Sequence, residues 1–351
     1  MKNKIFIAAC LLVYPILCVA QGVSNISENK TIMIKGAAYS TPIKTDDNRV
    51  VIATHKRSIY FLQCDESTQS KPIVASQYHT KFWVHATPSI VYDSLVAIGS
   101  YDGNFYFFNQ QGVLQKKIRP KGRIYTNPEQ LNHDWIVFGV GYKGLRYYNL
   151  ATDSIFTAKT RKLTHGSPTV LGNGAVCIGS NDKNIYFFDD EGKRISTYKT
   201  KGWIMHSKAL PLSDTTIVIG SYDNNLYAVS SSGKLLWKYQ TKGKIHASPK
   251  QFANGNIICG SFDKHIYVLN EFGEKIASVE TGKRVVSSAC IYGDMAVVGS
   301  YDGNLYFMTS QGKLVDTVQL GGKIFSSPIV MDDGTIFCAT TNGKAVFVAP
   351  R

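Results

Sequence analysis

One unit of about 40 residues is written eight times along this chain, and a chain that repeats itself at that spacing folds as an array of identical structural units. Its clearest line is a Gly-Ser-aromatic-Asp turn ahead of a short aromatic run. It stands at Gly99-Ser100-Tyr101-Asp102, Gly179-Ser180-Asn181-Asp182, Gly220-Ser221-Tyr222-Asp223, Gly260-Ser261-Phe262-Asp263 and Gly299-Ser300-Tyr301-Asp302. Weaker copies begin at Ala53, Gly139 and Ala339, and the steps between copies are 46, 40, 40, 41, 40, 39 and 40 residues.

Within a unit the pattern is that of short strands bounded by Gly, Asn and Asp. Residues 243–282 predict strands over 244–252, 256–260, 265–269 and 275–280. Four antiparallel strands per repeat make a propeller blade. The Asp-Gly-Asn sequences at 102–104 and 302–304 suit the left-handed angles of a tight hairpin. A second column places Ser, Thr or Asn before Pro, at Thr41, Thr87, Asn127, Ser167, Ser248 and Ser327, with Ser207-Lys208 and Ser288-Ala289 in the other two slots. Proline cannot donate to a ladder, so this column marks the innermost strand, whose free edge faces the axis. The last unit lacks a fourth strand, and residues 31–35 supply one. The expected fold is therefore all-β: a single eight-bladed propeller over 31–351, closed by the N-terminal strand.

Residues 1–20 read differently. Lys2 and Lys4 precede a short apolar run, and Cys18-Val19-Ala20 offers small residues for cleavage before Gln21. This is the pattern of a secretory signal peptide, followed by an N-terminal segment over 21–30. Soluble export to a periplasm or cell surface is preferred to a lipid anchor, because Pro15-Ile16-Leu17 is a poor frame for acylation of Cys18. Loss of Lys2 and Lys4 lowers the net charge from +14 to +12. Such a balance favours acidic partners, and export argues against nucleic acid. Five cysteines remain, at irregular places and with no CxxC pair, so neither a disulfide framework nor a metal site is expected.

The run Gly299 to Tyr306 with Ser310-Gln311-Gly312-Lys313-Leu314, and the run Gly220 to Trp237, resemble the PQQ-like repeat. That repeat builds the propellers of quinoprotein dehydrogenases and of the BamB-like family. The resemblance spans nearly all of residues 31–351 and implies an eight-bladed ring. The family's docking tryptophan is matched only at Trp237. The quinoprotein features that hold the quinone, vicinal cysteines and a calcium site carried on insertions, have no counterpart here, so no PQQ cofactor is expected. The BamB-like resemblance implies a scaffold that binds protein partners; the chain is expected to be non-catalytic and monomeric, and with no other apolar run near ~20 residues it is not expected to span a membrane.

Departures between units mark candidate sites. Three residues before the Pro slot stand Tyr39, His85, Tyr125, His165, Met205, His246, Val286 and Phe325. Five before it stand Ala37, Trp83, Arg123, Leu163, Trp203, Lys244, Arg284 and Lys323, while the position between is mostly aliphatic. Side chains alternate along a strand, so one side gathers the polar and aromatic groups. These residues either fill gaps between blades or form a basic, aromatic mouth. In the second case Trp83, Arg123, Trp203, Lys244, Arg284 and Lys323 would bind an anionic glycan or partner. His85, Tyr125, His165 and His246 are then the candidate bases of a uronate-polysaccharide lyase, the enzymatic alternative to a scaffold or lectin.

Overall fold

The computed structural model describes residues 30–63 and 71–349; the expected signal peptide, all but Lys30 of the expected N-terminal segment, and Cys64 lie outside them. Eight four-stranded antiparallel sheets are arranged blade after blade. Blade 6 is representative: Lys250–Gln251, Ile257–Gly260, His265–Leu269 and Lys275–Glu280, paired in that order from the axis outward. In blade 8 the outermost position belongs to Thr31–Met33, which runs antiparallel to Lys344–Val348 with Thr31 opposite Val346. The expected closing strand is present, two residues shorter than the sequence suggested, and Ile34 N still donates to Gly343 O at 2.8 Å.

The inner strands are much shorter than expected, two residues in blade 6 against a predicted nine. The cause is the column before proline. Its backbone N–H groups leave their own sheet and reach the neighbouring blade: Thr41 N donates to Thr87 Oγ1, Thr87 N to Asn127 Oδ1, and Asn127 N to Ser167 Oγ. The series resumes at Lys208 N, which donates to Ser248 Oγ, then Ser248 N to Ser288 Oγ and Ser288 N to Ser327 Oγ, all at 2.8–3.0 Å. A necklace of blade-to-blade bonds thus replaces ladder bonds around the axis. Lys208, not Ser207, occupies the slot in blade 5.

Apolar burial is divided among eight clusters, one at each joint between neighbouring blades. Val50, Ile52, Tyr60 and Leu62 of blade 1 meet Phe337, Ala339, Ala345 and Phe347 of blade 8 in the joint that closes the ring. Such a molecule has no common centre, and its stability is close to a sum over joints. The repeated glycine is part of each joint. Its φ is ordinary, but a Cβ on Gly220 would lie 2.3 Å from Ile245 Cγ2, and one on Gly179 would lie 2.1 Å from Ile204 Cγ2. The aliphatic column of the next blade therefore sits directly on the glycine. Where Ala339 stands in place of this Gly, the residue of the next blade in the same joint is the smaller Ala38.

The repeated aspartate is a staple. Asp223 accepts from Asn225 N within its turn, from the Tyr227 hydroxyl, and from Lys201 N and Gly202 N in the loop that enters the blade, at 2.8–3.2 Å. Asp102, Asp182, Asp263 and Asp302 repeat the pattern. Burial opposes ionisation of Asp223, but the donors from Asn225, Tyr227 and Lys201 win and hold its carboxyl below the usual range. Asp223→Ala is expected to cost about 2 kcal/mol in urea unfolding, because it strands several donors. Tyr227→Phe should cost about 1 kcal/mol; equal, negligible losses for both would show that the turn stands without its staple.

Candidate functional site: the axial channel and its basic mouth

The chain enters each blade beside its Gly-Ser-aromatic-Asp hairpin, so these loops and hairpins share one face of the disc. On this hairpin face the five hairpin carboxylates turn onto backbone N–H groups. The side chains of Lys81, Lys121, Arg161, Lys201 and Lys242 in the entering loops stand exposed. Turns at the other strand ends carry Asp46-Asp47, Asp189-Asp190-Glu191 and Asp332-Asp333, so acidic residues gather on the opposite face.

All six sequence-predicted binding residues lie exposed on the hairpin face. Trp83 and Trp203 are 46% and 51% exposed, a large fraction for tryptophan. Their backbone carbonyls accept from the hairpin residues of their own blades, Tyr101 N and Tyr222 N, and Lys244 O and Arg284 O accept likewise from Phe262 N and Tyr301 N. The hairpin aromatics therefore stand beside the cations. The Arg284 guanidinium lies 4.3 Å from the Tyr301 ring centre and 5.1 Å from that of Phe262, Lys244 covers Tyr222 at 5.3 Å, and Arg123 covers Phe82 at 5.9 Å. These are cation–π geometries that hold the charged heads in place. Among the described residues none of Arg123, Lys244, Arg284 and Lys323 forms an ion pair.

Below this rim the candidate catalytic column meets on the axis. His85, Tyr125, His165 and His246 line one small cavity with Tyr39, Val286 and Phe325. They fill the centre of the ring, not the gaps between blades. One member differs from the sequence expectation: His206, not Met205, completes the column. Blade 5 carries an extra residue between Ile204 and Ser207, and His206 takes a left-handed φ of +65° to swing its ring inward. The 41-residue step from Gly179 to Gly220 was the signal for this insertion. His55, from the worn hairpin of blade 1, was also missed. It stacks on Trp83 at 5.2 Å and places Nε2 3.2 Å from His85 Nδ1. His85 Nε2 in turn lies 3.3 Å from His206 Nδ1, and His206 stacks on His246 at 4.5 Å and on His165 at 5.1 Å.

Five of the chain's eight histidines thus form one network with no carboxylate among them. Burial holds every ring neutral. It lowers His55, His165 and His246 to about 4, and, with the neighbouring imidazoles opposing further charge, His85 to about 3; His206 is pushed down as well. Neutral imidazoles can accept a proton or coordinate a metal, yet among the described residues no three His, Cys, Asp or Glu are placed to hold a metal ion. The cavity measures about 80 Å³, room for a few waters or a small ion but not for a pyranose ring.

Beyond the necklace the channel opens as a wide funnel on the acidic face, lined by Pro42, Pro88, Pro249, Pro328 and the side chains of Lys44, Lys208 and Lys250. Sequence reasoning named the proline column here only as the mark of the inner strand and placed no candidate site residue in the funnel. Cys177, Cys259 and Cys338 are buried in strands, where burial pushes their thiols up. No helix among the described residues is long and apolar enough to cross a membrane. Trp237 docks as the repeat pattern implies, its Nε1 donating to Glu271 O at 2.9 Å on the next blade.

The family model described as outer membrane protein assembly factor BamB matches residues 181–350. The crystal structure of BamB from Moraxella catarrhalis is similar, with a TM-score of 0.73 at 15% identity over 93% of this chain and 97% of that one. Sqt1 from Saccharomyces cerevisiae gives 0.80 at 10% identity over 94% and 100%, and the computationally designed Ika8 protein gives 0.74 at 14% identity over 90% and 98%. No curated protein matches by sequence. At these identities the structural likeness is one of fold. The repeat, the eight-bladed ring and the family match over residues 181–350 together support a PQQ-like repeat propeller of the BamB type.

Proposed function

We propose that this protein is an exported, non-catalytic scaffold of the cell envelope that holds a partner protein on its hairpin face. The observation that carries the reading is the rim itself: two exposed tryptophans and four cations outside any ion pair on a closed ring, three of them, Arg123, Lys244 and Arg284, held by aromatic neighbours. A rigid rim loses little freedom on binding, and Trp and Arg are the side chains that most often anchor an interface. The basic charge suits an acidic surface on the partner. Similarity to the BamB family model supports both the envelope location and the scaffold role.

The test is cross-linking and capture from the envelope fraction of the native cell. Wild type should retain a defined protein, while a Trp83→Ala/Trp203→Ala/Arg284→Ala variant should lose at least ten-fold of it with its thermal midpoint unchanged. These are surface positions, where substitutions rarely disturb the fold. Equal capture by both would remove the hairpin face from the proposal. Capture abolished by a uronic-acid polysaccharide would move it toward an anionic glycan.

A further inference from the structure

The narrowest part of the axial channel has donors that nothing in the protein uses. The necklace hydroxyls of Thr87, Ser167, Ser248, Ser288 and Ser327 each accept a backbone N–H from the blade before or line up to do so, and all five face the axial cavity. A hydroxyl that accepts still has its own hydrogen to give. Among the described residues none of these five donates to a protein acceptor. On the hairpin side of the same cavity His165 Nδ1 is buried without a hydrogen-bond partner. Buried polar atoms of this kind are normally satisfied by something held in the site. On the funnel side the same ring of hydroxyls borders the cavity lined by Lys208 and Lys250. Lys208 is paired with Glu129, whereas Lys250 has no ion-pair partner among the described residues. Lys250 stands exposed in the funnel, yet partial desolvation by the funnel walls, and then the charge of Lys208, lower its pKa, the response of a cation short of counter-charge.

We propose that the axial channel binds one small oxyanion, a phosphate, sulfate or carboxylate, held by the necklace hydroxyls and the His165 N–H and balanced by Lys250. The cavity is of ionic size, and hydroxyl and imidazole N–H groups supply donors without a fixed charge that would close the ring in its absence. The anion enters from the funnel, since the hairpin side is filled by the histidine network. The site is separate from the rim assigned to the partner and does not depend on that assignment.

The experiment is a titration of the whole protein with inorganic phosphate at pH 7 and constant ionic strength, with chloride as the balancing ion. Thermal midpoint and the NMR signals of the histidine rings are the readouts. Wild type should show a saturable rise in midpoint with a matching shift of the His165 ring signals. Lys250→Gln and, separately, Ser288→Ala should weaken the apparent affinity about ten-fold, while Arg284→Ala on the rim leaves it unchanged. A second arm compares a short peptide with a free C-terminal carboxylate against its amide; saturation by the free acid alone assigns the carboxylate of a chain end as the source, and saturation by phosphate alone assigns the free ion. No saturable response to either, or an unchanged response in both Lys250→Gln and Ser288→Ala, overturns the proposal. So does a response that Arg284→Ala abolishes, because the anion then sits on the rim and the channel is empty of it. Loss of partner capture by rim variants has no bearing on this titration, and the two readings fail independently.

Discussion

Between pH 7 and pH 5 the protein is expected to lose roughly 5 kcal/mol of stability, with the axial histidines as the cause. Their folded pKa values lie below the unfolded value near 6.5, so unfolding takes up protons. Stability is then full above pH 6.5 and falls as pH drops toward the folded values of about 4 for His246 and about 3 for His85. At pH 5 each enclosed ring that unfolds to an imidazolium contributes about 2 kcal/mol, and His85, His206 and His246 are the most enclosed. The loss is a large part of an ordinary domain's total. Carboxylates do not confuse the reading, because they titrate mostly below this window. Urea unfolding at pH 7, 6 and 5 measures it. A His85→Gln/His206→Gln variant should give a clearly shallower slope, since two of the proton acceptors are gone. A flat wild-type profile, or a variant with the wild-type slope, would sink the idea.

The second large effect concerns the joints. Gly220→Ala is expected to cost about 3 kcal/mol, the upper end for overpacking, since the new Cβ would stand 2.3 Å from Ile245 Cγ2. Ile245→Ala alone should cost about 3 kcal/mol by leaving a cavity. The double variant should be less damaged than the two losses together by about 2 kcal/mol, since the small pair reproduces the Ala339–Ala38 joint that closes the ring. Denaturant melts of all four proteins form the cycle. Additive losses would mean that glycine and aliphatic column do not share one space.

The ring was legible because eight copies of one turn leave few other folds, and because the Pro column and the missing fourth strand locate axis and seam. What escaped was anything that depended on departures by a single residue. Met205 was placed where His206 stands, because the insertion in blade 5 falls inside an unmarked stretch and only the period registers it. His55 escaped because its hairpin has lost the Gly-Ser frame. The glycine column was used only as a marker of the repeat, yet Gly99 and its equivalents are needed for close packing against the next blade, a contact that no local pattern encodes. The rim residues were found because one column departs from blade to blade, although these residues lie in the loops before the inner strands and not in the strands that alternation presupposed. Their aromatic partners were missed, since Tyr301 and Phe262 reach Arg284 from hairpins of two different blades.

The seam has a consequence for synthesis. Thr31–Met33 is made long before its partner Lys344–Val348. Seven blades can stack on one another in order as they emerge, each needing only its neighbour. This strand has no sheet to join until the eighth blade has been made. Joining ends so far apart is slow. Until then the outer edge of the eighth blade offers unpaired backbone to any strand nearby, including the waiting N-terminus of another copy. A nascent crowd of such chains is therefore exposed to reciprocal strand exchange, and the brevity of that strand limits how firmly a wrong partner can hold.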